Sequence, residues 1–84
     1  MTDNTDRHRI VAEIVAFTGI TEGAAAALLS RSCAVSHLAY EVMLAATDDR
    51  DHAENYAAVA AQRYLADMCA RVREQRKAQH NGGA

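Results

Sequence analysis

The chain has 84 residues, enough for one domain with a modest core. Half of the residues are hydrophobic, proline and tryptophan are absent and there is one phenylalanine, which favours helices over a strand-rich fold. The formal net charge of −2 excludes a bulk cationic field that would attract nucleic acid or a membrane surface.

The first predicted element is an amphipathic helix over about residues 6–18, after a polar N-terminal segment, residues 1–5, that we expect to be disordered. Ile10, Ile14 and Phe17 recur at helical spacing and form one apolar stripe. Gly19 follows the last periodic residue, where helices often end in the left-handed conformation. Thr21 then stands where the N-cap of a second helix belongs.

Two further short helices are predicted, over about residues 22–31 and 34–47. The polar segment 30–33 between them has two interpretations, because serines either cap a new helix or lie on the surface of a continuous one. We favour a break near Ser32. The third predicted helix is apolar on nearly two faces, as in a helix that is central or covered by a partner. The predicted buried face comprises Val35, Leu38, Ala39, Val42 and Ala46, and the other side carries Tyr40, Met43 and Leu44.

A longer amphipathic helix is predicted over about residues 49–77, with Thr47 or Asp48 as its cap and Asp51 in its first turn. Its apolar face comprises Ala53, Ala57, Ala61, Tyr64, Leu65, Met68 and Val72. Residues 78–84 are expected to form a disordered tail. The sequence therefore predicts an all-α domain over residues 6–77, with three short helices plus a longer C-terminal helix.

No pattern in the sequence indicates catalysis, a metal site or a cofactor. No two of the four histidines have the i,i+3 or i,i+4 spacing that places two metal ligands on one helix face. Cys33 and His37 do have i,i+4 spacing, but nothing near them suggests an oxyanion hole or an orienting group. We therefore expect a protein that is not an enzyme and that binds neither metal nor cofactor.

The N-terminus lacks the apolar segment of a secretory signal, and the longest apolar run is too short to span a bilayer. We therefore expect a cytoplasmic protein without membrane contact. In that reduced compartment Cys33 and Cys69 are expected to be small apolar core residues.

Residues 20–44 also admit a helix-turn-helix that reads DNA, as in a transcriptional regulator. Its recognition helix would begin near Cys33 and offer Arg31, Ser32, Ser36 and His37 to the groove. That helix carries Glu41 and neither lysine nor arginine beyond its start, whereas readers of DNA place such side chains at the base edges. The sequence therefore argues against nucleic acid as a partner.

The segment 9–44 resembles the UBA-like three-helix domain, a family that includes ubiquitin-associated domains, nascent-chain-binding modules and the amino-terminal domain of elongation factor Ts. The matching residues are Ile10, Ile14, Phe17, Thr18, Gly19, Glu22, Ala25, Leu29, Leu38 and Ala39. The resemblance implies a protein-binding patch formed by Thr18, Gly19 and Ile20 together with Met43 and Leu44. Ile20 replaces the aromatic residue of many ubiquitin binders, so a protein-binding module is implied and ubiquitin binding is not.

These observations predict a non-enzymatic helical protein-interaction module, a small regulator or inhibitor that binds a larger host protein. The alternative is the helix-turn-helix transcriptional regulator. The core is small and rich in alanine, so we also expect a second chain to complete it, as a homodimer or as a complex with a partner protein. The predicted self-association face lies on the last helix and comprises Ala57, Ala61, Tyr64, Leu65 and Met68.

Overall fold

The computed structural model describes residues 3–82 and the side chains of residues 6–79. It contains three helices: α1 (Asp3–Thr18), α2 (Glu22–Thr47) and α3 (Arg50–Gly82). No strand occurs in the described range, which confirms the all-α prediction. The predicted division into three short helices and a longer fourth is wrong, because the second and third predicted helices are one helix of 26 residues.

Helix α2 continues through the serine-rich segment because Ser32 faces α3 and not solvent. The Ser32 side chain is buried, and its hydroxyl donates a hydrogen bond of 3.2 Å to the carbonyl oxygen of Ala61 on α3. A hydroxyl that is satisfied across a helix interface does not compete with its own backbone for hydrogen bonds. The predicted break near Ser32 is therefore wrong.

The turn between α1 and α2 has the predicted caps. Gly19 has a φ of 78°, and its N–H donates to the carbonyl of Val15 at 2.7 Å. The Thr18 hydroxyl donates to the carbonyl of Ile14, and the Thr21 hydroxyl accepts the N–H of Ala24. The bonds of Gly19 and Thr21 satisfy backbone groups that the two helix ends leave free, and the two helices are bent against each other by 114°.

At the turn between α2 and α3, the structure corrects the predicted cap. Asp48 ends α2 in the left-handed conformation, with a φ of 54°, and its N–H donates to the carbonyl of Leu44. The Asp49 carboxylate accepts the N–H of His52 at 3.1 Å and so caps the start of α3. Thr47 instead donates its hydroxyl back to the carbonyl of Met43.

Both terminal helices are longer than predicted. Helix α1 begins at Asp3, inside the segment 1–5 that was expected to be disordered, and α3 continues to Gly82, inside the expected tail 78–84. The remaining residues of those two segments, 1–2 and 83–84, lie outside the described residues.

Helices α2 and α3 form an antiparallel hairpin, and α1 packs across the end where α2 begins. The hairpin is closed by small side chains, since Ala25 and Ala53 have no exposed area and Ala57 is nearly as buried. The central cluster of buried residues comprises Val11, Ile14, Ala25, Leu28, Leu29 and Cys69. Small residues along the seam allow the two long helices to approach closely.

The chain exposes more surface than a compact domain of its size. Its radius of gyration is 15.4 Å, against about 12 Å expected for a compact chain of this length. Its accessible surface is 6285 Å², against about 4900 Å² from the scaling of surface with mass in monomers. The structure is a thin plate, with Cα extents of 54 × 30 × 14 Å.

Within residues 3–82 no single helix is both long and apolar enough to cross a membrane. Helices α1 and α2, which are bent against each other by 114°, reach that threshold only when taken together, by length and composition.

Candidate protein-binding surfaces

The structure does not bring the five residues of the predicted protein-binding patch together. Thr18, Gly19 and Ile20 form the turn at the start of α2, whereas Met43 and Leu44 lie near its end. Because α2 is continuous, Ile20 and Met43 are about 35 Å apart at 1.5 Å per residue. Segment 9–44, which the UBA-like resemblance divides into three helices, here contains the last ten residues of α1 and most of α2.

Within the turn, Thr18 and Gly19 stabilise the backbone conformation at the end of α1. The Thr18 side chain is buried and bonded to α1, and Gly19 supplies the positive φ. Ile20 packs against the core cluster. Met43 and Leu44 are half-buried at the other end of the hairpin.

The predicted self-association face packs inside the chain. Ala57 is buried, and the Ala61 carbonyl accepts the Ser32 hydroxyl of α2. Tyr64, Leu65 and Met68 are partly buried against the central cluster. Tyr64, Leu65 and Met68 keep part of their surface exposed, so α1 and α2 cover only part of the predicted self-association face.

The buried face predicted for residues 34–47 also differs in the structure. Leu38 is 63% exposed and Val42 is 58% exposed, although both were expected to be buried. Ala46 is exposed as well, and Val35 and Ala39 are half-buried. Helix α3 covers the neighbouring face of α2, on which Ser32 lies, and this leaves Leu38 and Val42 at the edge.

One side of the hairpin carries an apolar groove between α1 and α3, which we call the α1–α3 groove. Its lining residues are Ile10, Glu13, Ile14 and Phe17 from α1 and Gln62, Leu65, Ala66 and Cys69 from α3. The walls are mainly hydrocarbon, and the two polar side chains come one from each helix. Helix spacing places the four α1 residues on one face, as the predicted stripe of Ile10, Ile14 and Phe17 implies.

The α1–α3 groove has a basic end. Phe17 is 46% exposed there, and the guanidinium of Arg73 lies over its ring. The guanidinium of Arg76 lies beside Gly19, because a Cβ built on that glycine would come within 3.3 Å of Arg76 Nε. The sequence predicts Phe17 as part of the core stripe, whereas in the structure its ring is half-exposed and lies under Arg73.

Cys69 lies at the buried side of the α1–α3 groove. It is a free thiol with little exposed area, and burial raises the pKa of Cys69 because the thiolate is poorly solvated there. Cys33 is a free, exposed thiol on α2, which corrects its predicted core position.

Within residues 3–82, no helix packs on the opposite side of the hairpin. Helix α1 contacts the side of α2 that carries Ser30, whose hydroxyl accepts a 3.0 Å hydrogen bond from Arg7. Helical spacing places on this uncovered side, which we call the open face, the residues Ala24, Ala27, Arg31, Leu38 and Val42 of α2 and Tyr56, Val59 and Arg63 of α3. Tyr56 is 46% exposed and Val59 is 47% exposed.

Among the described histidines, His37 has an acidic neighbour on α2. His37 Nε2 lies 3.7 Å from a carboxylate oxygen of Glu41, so the imidazole is turned along α2 toward that acid. No group of three or more metal-ligating side chains converges in the described residues.

No protein-family model, curated protein or solved structure matches this chain.

Proposed function

We propose that the protein is a non-enzymatic protein-interaction module, a small regulator or inhibitor that binds a segment of a larger host protein in the α1–α3 groove. The observation that carries the proposal is an open apolar groove with a half-exposed aromatic ring at its basic end. Grooves of this kind bind the apolar face of an amphipathic helix. A cytoplasmic location stays a prediction.

The charges at one end of the α1–α3 groove favour an occupant that carries a negative charge. Arg73 and Arg76 lie at the Phe17 end, and Lys77 follows on α3. The groove runs along α1 from Ile10 to Phe17, about 10 Å at the helical rise. The matching occupant is about two turns of helix with apolar side chains on one face and an acidic residue beside Arg73.

The alternative, a DNA-binding regulator, loses the recognition helix that the sequence suggested near Cys33, because α2 is unbroken across Ser32. No observation favours it as a second candidate function.

The first test uses 8-anilinonaphthalene-1-sulfonate, an apolar aromatic probe with one negative charge. We expect its fluorescence to rise in the presence of the protein, and to fall when Ala66→Glu places a carboxylate in the groove or Arg73→Gln removes the cation. Ala58→Glu is the matched control, because Ala58 is an exposed alanine of the same helix that lies outside the α1–α3 groove.

The second test is capture of the host from native cytoplasm, quantified by mass spectrometry. A host captured by the wild type and by Ala58→Glu should be depleted at least about ten-fold with Ala66→Glu, a loss of about 1.4 kcal/mol or more. Equal capture by Ala66→Glu and the wild type would exclude the α1–α3 groove as the binding site.

A further inference from the structure

The open face has two dissimilar ends. Near the α2–α3 turn it presents large exposed side chains, Leu38 and Val42 from α2 and Tyr56 and Val59 from α3. Toward the start of α2 it contains a shallow hollow between the helices. The residues that line the hollow are Ile20, Ala24, Ala27, Leu28, Arg31, Tyr64, Met68 and Val72.

The two ends of the open face lie on one line along α2. The spacings along α2 are three, four, seven and four residues for Ala24, Ala27, Arg31, Leu38 and Val42. Such spacings keep residues on one side of a straight helix. Alanines leave space in the hollow, while Leu38 and Val42 project at the other end. The surface is therefore complementary to itself when one copy is reversed.

We propose that a second copy of this chain covers the open face as an antiparallel two-fold dimer. The two-fold axis crosses α2 near positions 34 and 35, so that Leu38 lies opposite Arg31 and Val42 lies opposite Ala27 of the other copy. Each hollow then receives the large apolar side chains of the other chain. The two hairpins together form a four-helix bundle in which neighbouring helices are antiparallel.

The exposed area supports a second copy as the occupant. The accessible surface of 6285 Å² exceeds the value expected for a monomer of this mass by about 1400 Å². A stable interface of standard size removes about 800 Å² from each partner. The excess of the whole chain is larger than such an interface needs, and Leu38, Val42, Tyr56 and Val59 supply apolar or aromatic surface on the open face, beside the exposed Arg31.

The charges favour the antiparallel arrangement over a parallel one. Acids cluster at the α2–α3 turn as Asp48, Asp49 and Asp51, whereas α3 is basic from Arg71 onward. A two-fold axis parallel to the helices would place the two acidic turns side by side, where like charges repel within the screening length. The antiparallel dimer instead brings each acidic turn toward the Arg71 region of the other chain.

The dimer does not depend on the proposed function, because the open face and the α1–α3 groove lie on opposite sides of the hairpin. It leaves both grooves uncovered on the outer surfaces, so the assembly would present two binding sites for the host. A two-site dimer gains apparent affinity for a host that is itself multivalent.

The test measures the mass in solution by light scattering after size exclusion, at micromolar concentration. The wild type is expected to have twice the chain mass of 9.1 kDa. The double variant Leu38→Glu/Val59→Glu should raise the dissociation constant of the dimer at least ten-fold. The control is His37→Glu/Ala58→Glu, which adds the same charges at exposed neighbouring positions on the other side and should leave the dimer intact.

The orientation of the two chains is tested by measuring the distance between spin labels attached at Ala46→Cys. The labelled protein also carries Cys33→Ser and Cys69→Ala, so that only position 46 reacts, and circular dichroism checks that it remains helical. The antiparallel dimer places the two labelled positions about 35 Å apart along the axis. A parallel bundle would bring them within about 20 Å, given helix separations of 8–10 Å.

A monomeric wild type at high micromolar concentration would overturn the dimer proposal and would not affect the proposal that the α1–α3 groove binds a host protein. A dimer that survives Leu38→Glu/Val59→Glu, or a short distance between the labels, would overturn it equally. Conversely, loss of host capture with Ala66→Glu in a protein that remains dimeric separates the two sites.

Discussion

The guanidinium carbon of Arg73 lies 4.6 Å from the centroid of the Phe17 ring, a cation–π contact between the ends of α3 and α1. Phe17 is half-exposed, and the arginine covers part of one ring face. The contact holds α1 against α3 beyond the last buried core residue. It also leaves a positive charge and an aromatic ring next to each other at the mouth of the α1–α3 groove.

A double-mutant cycle measures this contact. Arg73→Gln and Phe17→Leu, separately and together, should reveal a coupling of about 0.5–1 kcal/mol in the free energy of unfolding, the usual range for exposed cation–π pairs. The measurement is urea denaturation followed by circular dichroism. Arg71→Gln is the control, because Arg71 pairs with Asp67 at 3.0 Å, and it should show no coupling to Phe17→Leu.

Two glycines should respond in opposite directions to the same substitution. Gly19→Ala should destabilise the protein by about 1–2 kcal/mol, because the φ of 78° is unfavourable for a residue with a Cβ. Gly23→Ala should stabilise it by up to about 1 kcal/mol, because Gly23 lies in the first turn of α2 and a Cβ there meets no atom within 4 Å. Thermal or urea unfolding checks both; equal effects would contradict the left-handed turn at Gly19.

The turn between α2 and α3 offers a second pair of substitutions, at neighbouring aspartates. Asp48→Gly should stabilise the protein by about 0.5–1 kcal/mol, because glycine adopts the φ of 54° without steric cost. Asp49→Ala should destabilise it by about 1 kcal/mol, because the N–H of His52 loses its acceptor. Asp49→Asn keeps an oxygen acceptor and should be close to neutral in denaturant unfolding.

The two cysteines should differ in reactivity and in their effect on stability at high pH. Ellman's reagent should modify exposed Cys33 quickly and Cys69 only slowly in the folded protein, and both quickly in guanidinium chloride. Burial raises the pKa of Cys69 above its ordinary value of 9.0, so the folded state favours the protonated thiol. The associated stability is complete below the ordinary pKa and is lost as the pH rises through the folded pKa.

The stability difference between the wild type and Cys69→Ala isolates this effect from other groups that titrate in the alkaline range. As the pH rises above 9.0, the wild type should lose stability relative to Cys69→Ala. A pH-independent difference, or rapid modification of both thiols in the folded protein, would contradict a buried protonated Cys69.

The sequence by itself determined the helical class and the first turn. The absence of proline and the regular apolar spacing predicted helices, and Gly19 followed by Thr21 located the end of α1 and the cap of α2. These signals are local, because a left-handed glycine and an N-cap act on backbone groups within three or four residues. The predicted apolar face of the last helix, from Ala53 to Val72, is likewise the side of α3 that packs inside the chain.

The tertiary structure decided the contacts between residues that are more than one helical turn apart in the sequence. Ser32 was compatible with a cap or with a helix interior, and its contact with the Ala61 carbonyl selects the latter. Leu38 and Val42 were predicted to be buried and are exposed, because residues 34–47 are apolar on two faces and only the position of α3 decides which face is covered. The α1–α3 groove and the open face have the same origin: they depend on the side of the hairpin on which α1 packs, a contact between residues distant in sequence.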